Sequence, residues 1–278
     1  MGEATIGGQV RDPIFVKVKN DHGNTYRHDP KNPGGSSSYS DLWDLVEISG
    51  FERRELKDCD LDSDETFIAM PWNGYVAAHF RRHHRCRLIH WNIERPGITV
   101  EPYVDQMWVS DKTQCLMARE NNKNVQYLPL GGHPNYGGEP RYPKVWDMLP
   151  LAYAYGARAE KLLKIQEMGL SLAPATFAPA EKAHTLSHSR FGLMLHQTDH
   201  PIMTPLRAVL FASWRLPIIA EAHGDSYPYQ FIPYDPELNS LTDCTQEQIA
   251  AMVAHNYKAV TKTHTFRGSI LKAMESLP

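Results

Sequence analysis

The sequence predicts an α/β fold in two halves, each built on a mostly parallel sheet. Three observations predict it. Apolar, β-branched runs alternate with segments of helical spacing; residues 190–221 read as one strand-helix-strand unit; and a Gly/Pro-rich stretch at 128–142 interrupts the alternation. At 278 residues and 42% hydrophobic content, the chain is long enough for two cores of ordinary size.

In chain order, residues 14–18 read as a short strand, followed by a turn-rich loop of Asn20, Asp21, His22, Gly23 and Asn24 and a Gly/Pro/Ser-rich loop at 29–38. Residues 39–50 repeat apolar side chains at helical spacing (Leu42, Leu45, Val46) and close on Gly50, which predicts a helix. Strands are expected at 66–70, 87–91 and 106–110, with a helix over 75–82. The aperiodic stretch 128–142 is the linker candidate, so the expected domains are 1–130 and 131–278. The second half restarts at 145–149 and continues with helices at 157–168 and 179–189 and a strand near 170–173. The unit at 190–221 then supplies a strand at 191–195, a polar loop at 196–204, a helix at 205–214 and a strand at 216–220. A helix at 246–255 with Thr245 as N-cap precedes a last helix at 257–277, expected to return to the first domain.

Composition narrows the function classes. A formal charge of −3 and a pI near 6.5 argue against wholesale adsorption to nucleic acid while leaving a local basic groove open. Cys59, Cys86, Cys115 and Cys244 are widely spaced without a CxxC pair, which points to reduced thiols rather than a disulfide scaffold or zinc knuckle. The first residues lack the basic flank and apolar run of a signal peptide, and no segment approaches a membrane span, so a cytoplasmic protein is expected. Polar chemistry gathers after two apolar strands: His196, His200 and Thr204 on one crossing, Glu221, His223 and Asp225 on the next. Open α/β sheets bind ligands at that edge.

Four segments carry a family resemblance: WNIERP at 91–96, VDQMWVSD at 104–111, YLPLGGH at 127–133, and TPLRAVLFA at 204–212 followed by LPII at 216–219. Together they resemble the CgeB-like branch of GT-B glycosyltransferases, over roughly residues 66–222. The resemblance implies two Rossmann-like domains facing across a cleft, with the nucleotide sugar held mainly by the second and the acceptor by the first. It sets Arg207 and Thr204 at the start of a helix near the donor diphosphate, where unpaired NH groups and the helix dipole suit phosphate. One position departs: the glutamate expected three residues after the arginine, which would hold the donor ribose, is Leu210. Either Glu221 or Asp225 takes that role or the donor site is altered.

Each candidate has a plainer alternative. His196 and His200 suit phosphate contact or proton transfer near neutrality, and equally a hydrogen-bonded loop, and His133 after the Gly131-Gly132 turn is a comparable case. Arg207 is a donor contact or a salt-bridged surface residue. An acceptor hydroxyl needs a general base; Asp21 and His22 are the first candidates and Glu94 the second, against a simple turn or an arginine pair. The basic run at 79–88 offers Arg81, Arg82 and Arg85 to a nucleic-acid backbone, against the reading of a solvated face. Asp58, Asp60, Asp62 and Asp64 read as a solvated acidic loop, so no metal or other cofactor is expected beyond the nucleotide sugar, with UDP first among carriers.

The expected function is metal-independent transfer of a hexose to a hydroxyl. The favoured acceptor is a 5-hydroxymethylpyrimidine in double-stranded DNA, as for a bacteriophage enzyme acting in the host cytoplasm. A surface or spore-coat glycan acceptor is the alternative within the class; a non-catalytic nucleotide- or DNA-binding protein is the alternative outside it.

Overall fold

The computed structural model describes residues 11–17, 39–70, 85–93, 104–121, 124–152, 154–176, 179–196, 205–221 and 228–277. The first sheet contains β1 (Ile14–Lys17), β2 (Arg53–Glu55), β3 (Thr66–Ala69), β4 (Arg87–Asn92), β5 (Gln106–Val109) and β6 (Val125–Tyr127), in the order β2-β1-β3-β4-β5-β6. Every pairing is parallel. Parallel neighbours need crossovers rather than hairpins, and helices α1 (Tyr39–Ile48) and α2 (Lys112–Asn121) supply two of them. The central strands carry near-continuous apolar runs because both faces are covered: Phe67, Ile68, Leu88, Ile89, Trp91 and Trp108 are all buried.

The second sheet runs β10-β9-β8-β7, again parallel, from β7 (Trp146–Leu149), β8 (Ser189–Met194), β9 (Ile218–Ala220) and β10 (Ile232–Pro233). Helices α3 (Ala157–Glu167) and α4 (Pro179–His188) lie between β7 and β8, and α5 (Pro205–Ser213) joins β8 to β9. Two further helices, α6 (Asn239–Asp243) and α7 (Gln246–Lys258), precede the last, α8 (Phe266–Glu275). At the start of α7, Thr245 accepts from the Gln248 amide and Gln248 accepts in return from the Thr245 amide, a reciprocal cap that satisfies two amides.

Two expected elements take a different form. Residues 170–173 contribute only a parallel bridge between Leu172 and Met148, because hydrogen bonding is confined to Ser171 and Ala173. The single helix expected at 257–277 is broken: Ala259–Thr263 widens into a π turn, and Thr265 restarts the helix by accepting from the Gly268 amide. The break has a tertiary cause. Thr265 bridges to Gly132, with the Gly132 amide donating to the His264 carbonyl at 3.1 Å and the Phe266 amide donating to the Gly132 carbonyl at 2.6 Å. The expected helix at 75–82 lies outside the described residues.

The main core joins both sheets and α8. Phe266 packs its ring on Phe15 at 5.8 Å and Trp91 at 5.6 Å, and Ile270, Ala273 and Met274 follow on the same buried face. Fully burying one such large side chain contributes about 2–3 kcal/mol. The last helix therefore lies against the first sheet, where Arg267 also reaches Asp12 and the Ser49 carbonyl. No described helix is long and apolar enough to cross a membrane.

The π turn gives the fold a pH dependence. Burial pushes the His264 imidazole below its ordinary value, aided by Lys272 and His255, and burial alone does the same for His133. Because the unfolded state takes up these protons first, stability is complete above the unfolded value of about 6.5 and falls as pH drops through it. Melting temperature is expected to decline between about pH 7.5 and pH 5.5, and more steeply in the wild type than in His264→Gln. Identical slopes would remove His264 as the cause.

Candidate active site

Chain order identifies where each sheet opens. In the second sheet the chain leaves β7, bridges beside it on one side at Leu172, and returns on the other side as β8. This reversal makes the carboxyl end of β7 the switch point at which open α/β sheets hold ligands. In the first sheet β1 is flanked by β2 and β3, which sets the corresponding reversal at the carboxyl end of β1.

The backbone beyond β7 is unusual. Leu151 has φ of 39°, and Gly156, the N-cap of α3, has φ of 54° with ψ of −143°, a combination open only to glycine. The N-cap Gly156 has no side chain to cap α3, and the helix's first amides, with the positive end of its dipole, stand at the carboxyl edge of the second sheet. The first turns of α3 then add two cations. Arg158 is buried and donates through Nε to the Leu195 carbonyl at 3.0 Å, just beyond β8; burial pushes its guanidinium pKa down, and Glu221 opposes the shift. Lys161 pairs with Glu221 Oε1, and the His196 amide donates to Glu221 Oε2.

Glu221 is thus the centre of the cluster. It follows β9 directly, its amide donates to the Met194 carbonyl at 3.1 Å, and its carboxylate ties the ends of β8 and β9 to α3. Its side chain is 16% exposed and that of Lys161 28% exposed, so a ligand at this edge can reach both. Chemically the cluster offers helix amides and two cations for an anion beside a carboxylate for hydroxyl groups.

Of the residues singled out from sequence, His196 and Glu221 are brought together here. Arg207 is buried in the first turn of α5, the helix that joins β8 to β9, and all nine residues of that helix are buried. Leu210, one turn on, belongs to the main core, so the position at which the resemblance expects a ribose-binding glutamate is a packing position in this chain. His133 is in the linker turn, where its Nδ1 accepts from the Asn135 amide at 3.1 Å. The neighbouring Gly131 and Gly132 lie against His264, Thr265 and Val260, so their close approach is to the chain itself. Arg85 is exposed before β4, and Asp60 closes a local turn by accepting from the Asp62 amide. Asp21, His22, Arg81, Arg82, Glu94, Thr204, His223 and Asp225 lie outside the described residues.

Sequence reasoning missed Arg158 and Lys161. The available signal was their place in the first turns of the helix after the first strand of the second half, behind an unusual glycine start.

Two parallel sheets with crossover helices form the two-domain Rossmann-like architecture of the GT-B glycosyltransferases. Among solved structures, a variant of S. aureus TarM in complex with Fondaparinux, alpha-GlcNAc-glycerol and UDP matches with a TM-score of 0.51 at 8% identity, covering 83% of this chain and 57% of that one. An alpha,alpha-trehalose-phosphate synthase (UDP-forming) from Burkholderia vietnamiensis matches with a TM-score of 0.51 at 10% identity, covering 90% of this chain and 78% of that one. T4 phage beta-glucosyltransferase has a TM-score of 0.49 and 11% identity, with 95% of this chain and 98% of that one covered. The chain spans less than two thirds of the TarM length. No family model and no curated protein matches it.

Proposed function

We propose that the protein is a glycosyltransferase that takes a nucleotide sugar, with UDP as carrier, and moves the hexose to a hydroxyl acceptor. The observation that carries this reading is the carboxyl edge of the second sheet, where the glycine-started first turns of α3, with Arg158 and Lys161, meet Glu221 and the end of β8. Departure of a sugar leaves negative charge on the diphosphate, and preorganised amides and cations aimed at it lower the barrier. They supply the positive charge that a divalent cation would otherwise bring, which supports transfer without a required metal. Solved structures of the same fold contain UDP in one case and are named UDP-forming in another, which supports the choice of nucleotide.

In this reading Glu221 holds the ribose hydroxyls, Arg207 lies near the donor diphosphate, and His133 and His196 bind the donor beside it. Thr204, His223 and Asp225 bind the donor, and Asp21 or His22, a few residues after β1 in sequence, takes the proton from the acceptor. Glu94 is the second candidate base. The basic run with Arg81, Arg82 and Arg85 supports DNA carrying 5-hydroxymethylpyrimidine as acceptor. A division at residue 130, with α8 assigned to the first domain, is supported by the packing of Phe266 on Phe15 and Trp91. Four free cysteines support a reducing compartment.

A thermal-shift series with UDP, GDP, ADP and their sugars tests the donor, because a ligand that binds the folded state raises the melting temperature. A rise with UDP or a UDP-sugar is expected, and EDTA should leave it unchanged. Transfer to an oligonucleotide containing 5-hydroxymethylcytosine tests the acceptor, with Asp21→Asn expected to abolish turnover while preserving the UDP shift. A shift without transfer to any hydroxyl acceptor would make the protein a nucleotide binder, and no shift with any nucleotide would end the reading.

A further inference from the structure

Helix α1 follows β1 and helix α4 leads into β8, and a crossover helix runs antiparallel to its strands. The first turn of each therefore stands at the carboxyl edge of its own sheet. Side chains from these two turns meet. Lys182 on α4 bonds through Nζ to Asp41 Oδ1 on α1, and the Tyr136 hydroxyl, from the linker, donates to the same oxygen at 2.7 Å. The Lys182 and Asp41 side chains are only 9% and 4% exposed. One buried carboxylate thus ties together α1, α4 and the linker.

The linker arm is itself fixed. The Tyr136 amide donates to the His133 carbonyl at 2.9 Å, Gly137 lies against Ser213, and a Cβ at Gly138 would come within 2.5 Å of the Trp214 ring. Tyr136 is therefore presented from a turn docked on the end of α5, in the second half. Burial, with the charge of Asp41 adding to it, pushes the Tyr136 hydroxyl well above its ordinary value, so it remains a donor to that carboxylate. Buried charges persist only when paired, and such pairs contribute more to fixing one arrangement than to net stability.

We propose that Asp41 is a positioning residue: through Lys182 and Tyr136 it sets the spacing between the two carboxyl edges, and so the distance across which donor and acceptor meet. Its catalytic consequence rests on the transferase reading above; the clasp itself does not. Nucleotide binds on the second sheet alone in that reading, so loosening the clasp separates binding from turnover.

The test uses Tyr136→Phe, which removes one hydroxyl, and the double variant Asp41→Asn/Lys182→Met, which removes both charges without stranding either. Backbone amide exchange in residues 39–48 and 133–141 is expected to accelerate on the order of tenfold relative to β8 and β9, the loss anticipated for one hydrogen bond to a charged group. UDP affinity should stay within about twofold while kcat for transfer falls on the order of tenfold at unchanged donor KM. Unchanged exchange in these segments, or a loss of UDP affinity matching the loss of turnover, would overturn the proposal. If wild-type protein binds no UDP, the transferase reading fails and the exchange measurement alone decides the clasp.

Discussion

Gly131→Ala is expected to cost about 3 kcal/mol or more, because the new methyl group enters backbone rather than a movable side chain. A Cβ there would press on the His264 carbonyl oxygen and come within 2.6 Å of the Thr265 carbonyl carbon and 2.8 Å of the Phe266 amide nitrogen. These atoms cannot simply retreat. The His264 carbonyl accepts from Gly132, and the Phe266 amide donates back to it, so displacing them breaks the bridge that restarts the last helix. Phe266 would then lose its seat on Phe15 and Trp91. For a chain of this size the melting temperature should fall by roughly 6–12 °C. Gly169→Ala is the control: its φ of +82° carries a conformational cost of about 1–2 kcal/mol, but nothing lies within 4 Å of the added group. Differential scanning calorimetry of both variants decides the matter, and a Gly131→Ala melting point equal to that of the wild type would refute the steric account.

The same contact explains why the end of the chain was only half legible in the sequence. Thr245 announces its helix because a cap and its partner Gln248 are local, whereas the break before Phe266 is imposed by Gly132, far away in sequence. β4 and β5 were legible from the short apolar runs at 88–89 and 107–109, since a parallel strand covered on both faces carries few polar residues to mask it. β2 was not: Arg53–Glu55 is wholly charged and is a strand only through pairing with β1. Helix α2 was missed because its sequence, KTQCLMAREN, leaves Leu116 and Met117 exposed and so blurs the apolar stripe. The site divides in the same way. His196 and Glu221 could be found because they directly follow strands, and ligands gather there. Lys161, on a helix rich in lysine and glutamate, looks like any solvated charge until folding sets it against Glu221. Asp41 and Lys182 carry no local sign of their pairing either, since neither helix alone buries them.

Lys161→Ala is expected to weaken UDP binding by about 10- to 100-fold while leaving uridine affinity unchanged, if the cation serves the diphosphate. The stability cost should be small. Lys161 is partly exposed, and truncating a partly solvated ion pair removes at most about 1 kcal/mol. Glu221→Ala should differ from it in one respect. Its carboxylate holds both Lys161 and the His196 amide, so its loss disturbs the cation and also removes the acceptor for ribose hydroxyls. Uridine and UDP should then both bind more weakly. Raising the salt concentration should weaken UDP binding to the wild type more than to Lys161→Ala, since an exposed charge is screened within about 10 Å at 0.1 M. Calorimetric titration of the three proteins with both ligands separates the roles. Equal losses for uridine and UDP in Lys161→Ala would show that the residue only supports Glu221, and no loss for either ligand would move the phosphate site away from α3 altogether.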